Sequence, residues 1–498
     1  MSAAKLNDEA EETTQVDPNR WRALCIILIA PFLSVLDFFI VNISIPSIQS
    51  GLHATFAEVQ LVIAGYGLTY AVFLVTGGRL GDIYGRKRMF MLGMGGFTLA
   101  SALCGFAHST NMLIVSRLLQ GLMAALMVPQ TLAIVQVSFP QKERSLAFGS
   151  FGASLGLASI AGQLLGGLLI SANLFGLTWR PVFLVNLPVG IIALFLAWPI
   201  LKESRSPKCL RLDPGGVAII SVALFLLVYP LVEGREAGWP VWTYLSVAAS
   251  FVMLVGFVFY ERWKERRDHS PLVALSLFRD RAFVIGLGII LLFFGGLASF
   301  FLTLTVFLQT GLNFTPLAAG LAFAPFAMGF FAASTASVKL QPKLKSRILN
   351  LGAGLMITGL LWLIHAVRVD GVALHGSNLI LVLLVYGIGQ GFVTAPLFNI
   401  ILSGIGGEDA GSASGILSTM QQIASAIGVA VIGSIFFGLL EEGGSPGAQS
   451  YVGAFATTLL YNVGLLAATF LLVLFLPRGC TGHLDKDSVA SGAVSVHA

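Results

Sequence analysis

Long apolar runs separated by short polar breaks recur along almost the whole chain. Fourteen stand out: 21–43, 58–79, 89–107, 111–134, 147–171, 182–201, 214–232, 241–260, 282–308, 316–338, 347–367, 378–402, 411–440 and 451–477. Many reach the roughly 20 residues that a helix needs to cross a bilayer core. In lipid the backbone must satisfy its own hydrogen bonds, so these runs predict membrane-spanning helices. The tails 1–18 and 479–498 are polar and are expected to be disordered. The first run follows an acidic tail, LNDEAEETTQVD (6–17), and shows no small-residue cleavage site, so no cleaved signal peptide is expected.

Composition strengthens this picture. The chain is 56% apolar and 11% charged, whereas a soluble domain carries about 25% charged residues. Charge also orients the predicted spans. With the N-terminus inside, 25 of the 29 Lys and Arg fall on the inner side and three (Arg180, Arg235 and Arg368) on the outer, with Arg117 inside a run. The positive-inside rule then places both termini in the cytoplasm, in a bacterial-type inner or plasma membrane. The net charge of +5 needs no nucleic acid to explain it. Of the four cysteines, Cys25 and Cys104 lie in runs and Cys209 and Cys480 on the inner side, so no disulfide is expected. No metal-ligand spacing, Walker pattern or nucleophile–base pair is present. The expected protein is neither an enzyme nor an ATPase and needs no cofactor or metal.

The chain also repeats itself weakly. RLLQGLMAALMVPQTLAIV (117–135) and YGIGQGFVTAPLFNII (386–401) both place Gln-Gly ahead of a proline and an apolar run. The runs at 147–171 and 411–440 both open with small residues. Two halves of six runs, with the seventh and eighth inserted between them, fit this pattern and the repeat architecture of secondary transporters. The corresponding division is a polar tail (1–20), an N-terminal six-helix half (21–201), two inserted helices with flanking loops (202–281), a C-terminal six-helix half (282–478) and a second tail (479–498).

One polar break is unusual. GGRLGDIYGRKR (77–88) holds four cations, one acid and four glycines in twelve residues. Its core, GRLGDIYGRKR (78–88), resembles the loop signature GxLaDrxGrkxx of the major facilitator superfamily. LDFFIVNISIPSI (36–48), RLLQG (117–121), GQLLGG (162–167) and WRPVFLVNLPVG (179–190) resemble motifs of its fourteen-span drug:proton antiporter family. RLDPGG (211–216), FLQTGLNFTPLAAGLAFAP (307–325) and STMQQIASAIGVAV (418–431) continue the match, which covers roughly residues 20–478. The resemblance implies an all-α membrane protein of the major facilitator fold, with fourteen helices. It implies a proton-coupled exporter of amphipathic drugs or toxic metabolites, driven by the proton gradient. Its partners would be a small amphipathic molecule, protons and the lipid bilayer, and the working unit is expected to be a monomer. Two departures stand out: Ile83 replaces a frequent Arg, and Gln163 replaces the proline of GPxxGG.

In the 78–88 stretch, glycines at 78, 81 and 85 permit a tight turn and close backbone approach. Asp82 can dock on the positive N-terminus of another helix, and the run starting at 411 is the expected partner. The resemblance assigns Gly78, Asp82, Gly85, Arg86 and Lys87 to a gating latch; the alternative is a solvated anchor loop. With Ile83 in place of Arg, any pairing of Asp82 inside the stretch falls to Arg79 or Arg86.

Ionisable groups deep in a span are costly and point to function. At about 1.5 Å per residue, Asp37 and Arg117 reach similar depths, roughly 24 and 21 Å from the inner face of a roughly 30 Å core. They are expected to meet, with Asp37 taking a proton when conformational change separates them; a purely structural ion pair is the alternative. Gln120 lies one turn from Arg117, suited to a bridging water or to helix–helix bonding. Ser154, Ala158, Gly162 and Gly166 share one helix face, continued by Gly167, and invite close packing. The resemblance puts that helix at the interface between halves.

A substrate cavity lined from both halves would draw on Phe38, Gln120, Gln163, Phe293, Phe294, Phe301, Gln309, Asn399 and Gln422, although a Phe in a span more often packs or faces lipid. With a single buried carboxylate, Asp37, expected there, neutral or monovalent amphipathic cargo is favoured over dications. Two other functions remain compatible with the fold: a proton-linked or passive carrier of one metabolite, and a membrane receptor or scaffold that does not transport.

Overall fold

The computed structural model describes residues 17–476, apart from 55, 174–175, 207–212, 235–236, 269–271, 274, 407–408 and 443–446. The two tails of the sequence reading thus lie outside the described residues almost entirely. Every regular element among the described residues is helical. The helices are α1 (Arg20–Ile27), α2 (Ile29–Leu52), α3 (Phe56–Tyr84), α4 (Arg86–Gly105), α5 (Thr110–Ser138), α6 (Gln141–Ala172), α7 (Pro181–Leu184), α8 (Asn186–Ile200) and α9 (Pro214–Glu233). They continue as α10 (Val241–Asp268), α11 (Arg281–Val306), α12 (Pro316–Ala322), α13 (Ala324–Leu344), α14 (Arg347–Asp370), α15 (Gly376–Leu402), α16 (Ala410–Glu442) and α17 (Ala448–Leu474).

Three runs expected to be continuous are split. α1 and α2 part at Leu28, ahead of Pro31; α7 and α8 part at Val185, ahead of Pro188; α12 and α13 part at Phe323, ahead of Pro325. Proline lacks an N–H and crowds the preceding turn, which accounts for breaks at these points. α11 runs on into a π turn, Phe307–Gly311, in which the Leu312 N–H reaches the Phe307 carbonyl at 2.9 Å. Polar caps open several helices: Asp280 accepts from the Ala282 and Phe283 N–H groups of α11, and Ser109 from the Met112 N–H of α5.

Twelve helical segments among the described residues are long and apolar enough to cross a membrane. Helices α4 and α6 are not among the twelve, although 89–107 and 147–171 are predicted spans. α4 opens on Arg86, Lys87 and Arg88 and is rich in small residues, which dilutes its apolar character.

Within α1–α8, α2 packs on α6, α3 on α5, and α4 on α5 and α8. Within α11–α17, α11 packs on α16, α13 on α15, and α14 on α15 and α17. The glycines at these crossings correspond. Gly121 of α5 lies against the Tyr66 carbonyl of α3, and Gly391 of α15 against the Phe330 carbonyl of α13. Gly162 of α6 lies against the Leu36 backbone of α2, and Gly428 of α16 against the Gly295 backbone of α11. At each crossing the backbones approach too closely for a side chain, and the weak repeat in the sequence falls on these positions. The two groups meet where α3 and α5 pack on α16, and where α6 packs on α13 and α15. α9 and α10 form a hairpin whose first helix lies against α3 and α16.

Candidate functional site

Asp37 and Arg117 meet as the depth argument requires. Both are fully buried, and Arg117 Nη1 pairs with Asp37 Oδ2. The other carboxylate oxygen, Oδ1, accepts from Gln120 Nε2 at 2.9 Å and Asn186 Nδ2 at 3.0 Å. Arg117 has further holds: its Nε donates to the Val62 carbonyl at 3.0 Å, and Nη1 also reaches Gln120 Oε1 at 2.7 Å. Its guanidinium lies 4.4 Å from the centre of the Tyr66 ring and 5.8 Å from that of Phe183. Tyr66 is fixed by its hydroxyl, 2.6 Å from Ser34 Oγ. Ser101 accepts from Gln120 at 2.7 Å and from Asn186 at 3.3 Å, closing the network. Side chains from α2, α3, α4, α5, α7 and α8 thus form one network around Asp37, whose carboxylate is held directly by Arg117, Gln120 and Asn186. Burying a charge pair this deeply is offset only by further hydrogen bonds; both Asp37 oxygens have partners, while Arg117 Nη2 is buried without one.

Gln120 therefore differs from its expected place. It is fully buried within the Asp37 network and bonds directly to Asp37 and Ser101, so it does not line an open cavity. Other cavity candidates scatter. Phe38 is exposed and edge-on to Phe39. Phe293 is fully buried, and Phe294 packs towards Phe398. Phe301 packs on Phe323 and Phe326. Gln309 in the π turn, Asn399 on α15 and Gln422 on α16 are all half-buried. Gln422 lies beside Tyr70 of α3, across the junction of the two helix groups. Gln163 is in α6, but its side chain lies outside the described residues.

The second centre is the 77–88 stretch. It is almost entirely helical: α3 extends to Tyr84 and α4 starts at Arg86, leaving only Gly85 between them. Gly85 has φ of +112°, and a Cβ there would strike the Glu203 carboxylate, so glycine is required. Gly78 touches the Gly411 backbone of α16, and Gly81 faces Gln130 of α5. These two glycines serve close helix approach rather than a turn. Asp82 is 1% exposed and accepts from the Gly411 N–H at 3.1 Å, the Ser412 N–H at 2.9 Å and Arg86 Nη2 at 2.7 Å. The expected docking on the N-terminus of another helix is thus present, and Arg86 is the partner within the stretch. Arg86 N–H also donates to the Ser204 carbonyl, and Ser206 N–H to the Asp82 carbonyl. Lys87 donates from Nζ to the Trp198 carbonyl at 2.6 Å and from its backbone N–H to Glu203. Nearby, Gln136 of α5 donates to the carbonyls of Leu402, the last residue of α15, and of Ile405 just beyond it.

α6 presents two faces. Ser154 donates to the Leu28 carbonyl, while Ala158 and Gly162 pack against α2, so the predicted small-residue stripe joins helices of the same group. Gly149, Gly152 and Gly156, on the opposite face, meet Ser334, Thr394 and Phe330 of the second group. Gly166 is buried, and Gly167 has open space around its Cβ position.

Residues 27–429 match the family model of the Major Facilitator Superfamily. The chain belongs to the Major Facilitator Superfamily. It is therefore a membrane transporter and not an enzyme. It is 40% identical over 422 residues to the "Probable actinorhodin transporter" of Streptomyces coelicolor, covering 84% of this chain and 73% of that protein. It is 33% identical over 487 residues to "Puromycin resistance protein pur8" of Streptomyces alboniger, covering 95% of each. The fold resembles that of the human organic anion transporter MFSD10 (TETRAN), with TM-score 0.62 and 19% identity over 90% of this chain and 99% of the other.

Sequence reasoning did not single out Asn186, Ser101 and Tyr66. Asn186 carried a signal, as an amide inside the apolar run FLVNLPVG. Ser101 and Tyr66 carried none, because both residue types are ordinary in spanning helices. Glu203, which braces Gly85 and Lys87, reads as one more inner-side charge.

Proposed function

We propose that this transporter exports amphipathic small molecules in exchange for protons, by alternating access. The observation that carries the reading is the convergence on Asp37. Arg117 holds the carboxylate but also holds the Val62 carbonyl and the Tyr66 face, partners to which it can retreat. Asp37 then takes a proton, and its return to Arg117 releases it. Because Asp37 is fully buried, each exchange requires the helices to part, which ties proton movement to the change of access.

In this reading α4 and α6 also span, giving fourteen spans: a six-helix half at 21–201, two inserted helices within 202–281 and a six-helix half at 282–478. The basic end of the bundle faces the cytoplasm, with both termini there, in the inner or plasma membrane. Gly78, Asp82, Gly85, Arg86 and Lys87 form the latch that closes that side. Gly162 and Gly166 seat α6 on α2, so α6 moves with its own half while its other face slides over α13 and α15. Substrate lies between the halves, near Phe38, Gln163, Asn399 and Gln422. Relatives named for actinorhodin transport and puromycin resistance support antibiotic-like cargo. The proton gradient supplies the energy without a cofactor, and the working unit is a monomer.

The test is reconstitution into proteoliposomes with an imposed pH gradient, following a fluorescent lipophilic monocation. Gradient-driven movement in wild type that is lost in Asp37→Asn supports the reading. Movement unaffected by the substitution removes Asp37 from coupling.

A further inference from the structure

The α9–α10 hairpin has no part in the mechanism above, yet it carries a second buried acid pair. Asp213 and Glu261 are 2% and 0% exposed. Asp213 stands at the N-cap position of α9, where an aspartate ordinarily accepts a backbone N–H, but it makes no capping bond. Its Oδ1 instead accepts from the Tyr260 hydroxyl at 2.9 Å, and Glu261 Oε2 accepts from the Val273 N–H at 3.1 Å. The remaining oxygens, Asp213 Oδ2 and Glu261 Oε1, are buried without a hydrogen-bond partner. Both lie within 2.8 Å of one point, the place a Cβ on Gly216 would occupy. Two unsatisfied carboxylate oxygens thus face one spot, where glycine leaves the space open.

Charge balance points the same way. Arg79 of α3 is buried beside the pair and within electrostatic reach of Asp213, Glu261, Asp82 and Asp409. Arg86 pairs with Asp82, and Lys264 of α10 lies near Tyr260. Arg79 is thus shared among four carboxylates, one of which, Asp82, also has Arg86. Two adjacent buried carboxylates do not both ionise without a counter-charge of their own.

We propose that Asp213 and Glu261 form a proton-binding site on the α9–α10 hairpin, in which one carboxyl O–H donates to the other carboxylate over Gly216. The site is separate from Asp37 and does not depend on the direction or cargo of transport. Through Arg79, which the pair shares with Asp82, its charge bears on the latch.

Infrared titration of the full chain in nanodiscs reads the site directly. The expected result is a protonated-carboxyl C=O band at neutral pH that is absent from both Glu261→Gln and Asp213→Asn. Each amide retains the bond to Val273 or Tyr260, and the two variants check each other if one misfolds. Arg79→Gln, which removes the cation favouring the ionised form, is expected to raise the titration midpoint by about one pH unit or more. Spectra of both acid variants that match wild type from pH 5 to 9 would overturn the proposal. Loss of the band on adding sodium at fixed pH would overturn it in favour of a metal-cation site.

Discussion

Asn186, at the break between α7 and α8, donates its amide to the Asp37 oxygen that Gln120 also reaches, at 3.0 Å. Hydrogen bonds to a charged group contribute about 1.5–3 kcal/mol. Asn186→Leu keeps the volume and removes the donor, so it is expected to lower thermal stability by roughly that amount. In an Asp37→Asn background the same change is expected to cost less, because the charge is gone. A double-mutant cycle in detergent-solubilised protein measures the difference. Equal costs in both backgrounds would make Asn186 a packing residue only.

The glycines of α6 rank by what surrounds them. A Cβ on Gly162 would meet the Leu36 carbonyl oxygen and the Phe39 Cβ, each at 2.9 Å, and backbone cannot step aside. A Cβ on Gly156 would meet the ring of Phe330 at 2.7 Å, a side chain that can turn. Gly167 has nothing within 4 Å. Gly162→Ala is therefore expected to destabilise by about 1–3 kcal/mol, Gly156→Ala by less, and Gly167→Ala through helix propensity only, in the stabilising direction. Thermal unfolding of the three variants gives the order, and a Gly167→Ala as damaging as Gly162→Ala would contradict it.

Much of the fold was legible because lipid reduces the choices to helix or loop, and run length then marks the spans. The split runs were not placed, since a proline in a span signals a kink without saying whether the helix ends there. The Asp37–Arg117 pairing was legible because charge in a span is rare and its depth follows from the rise per residue. Gln120 was misplaced for the same reason that Asn186 was overlooked. An amide in a span suits a cavity wall and a buried network equally well, and only the packing of α4, α5 and α8 decides. The docking of the 78–88 stretch on the run at 411 was legible from its acid and glycines, although the two lie over 300 residues apart in sequence.

Glu233, at the end of α9, lines an apolar cavity of about 90 Å³ with Leu61, Leu68, Ile114 and Leu118. Burial pushes its carboxyl above the ordinary value of 4.5. The folded protein therefore holds this proton more readily than the unfolded chain. No cost arises below the ordinary value, where both states are protonated. The cost begins as pH rises through it and is complete above the folded value. Glu233→Gln is expected to raise the melting temperature relative to wild type at pH 8 and to leave it unchanged at pH 4. An equal shift at both values would show that charge burial is not the cause.

Asp82 joins three donors from two helices, and its loss has two separable effects. Asp82→Asn keeps the shape and an acceptor oxygen for Gly411 or Ser412. It removes the charge that complements the N-terminus of α16, worth up to about 2 kcal/mol in partly buried settings. It also takes from the buried Arg86 guanidinium its Asp82 partner, and breaking a buried pair in this way costs about 3–5 kcal/mol. Asp82→Asn/Arg86→Gln removes both charges and avoids the second penalty. If this junction is a latch, access at the basic end follows the same order. A single reporter thiol at Ile405, which is 8% exposed beside the Gln136 bonds, reads that access in a background without the native cysteines. In nanodiscs, maleimide labelling is expected to quicken several-fold in Asp82→Asn and less in the double variant. Labelling at the wild-type rate in Asp82→Asn would leave the Asp82 cluster as a structural joint between α3 and α16, with no part in gating.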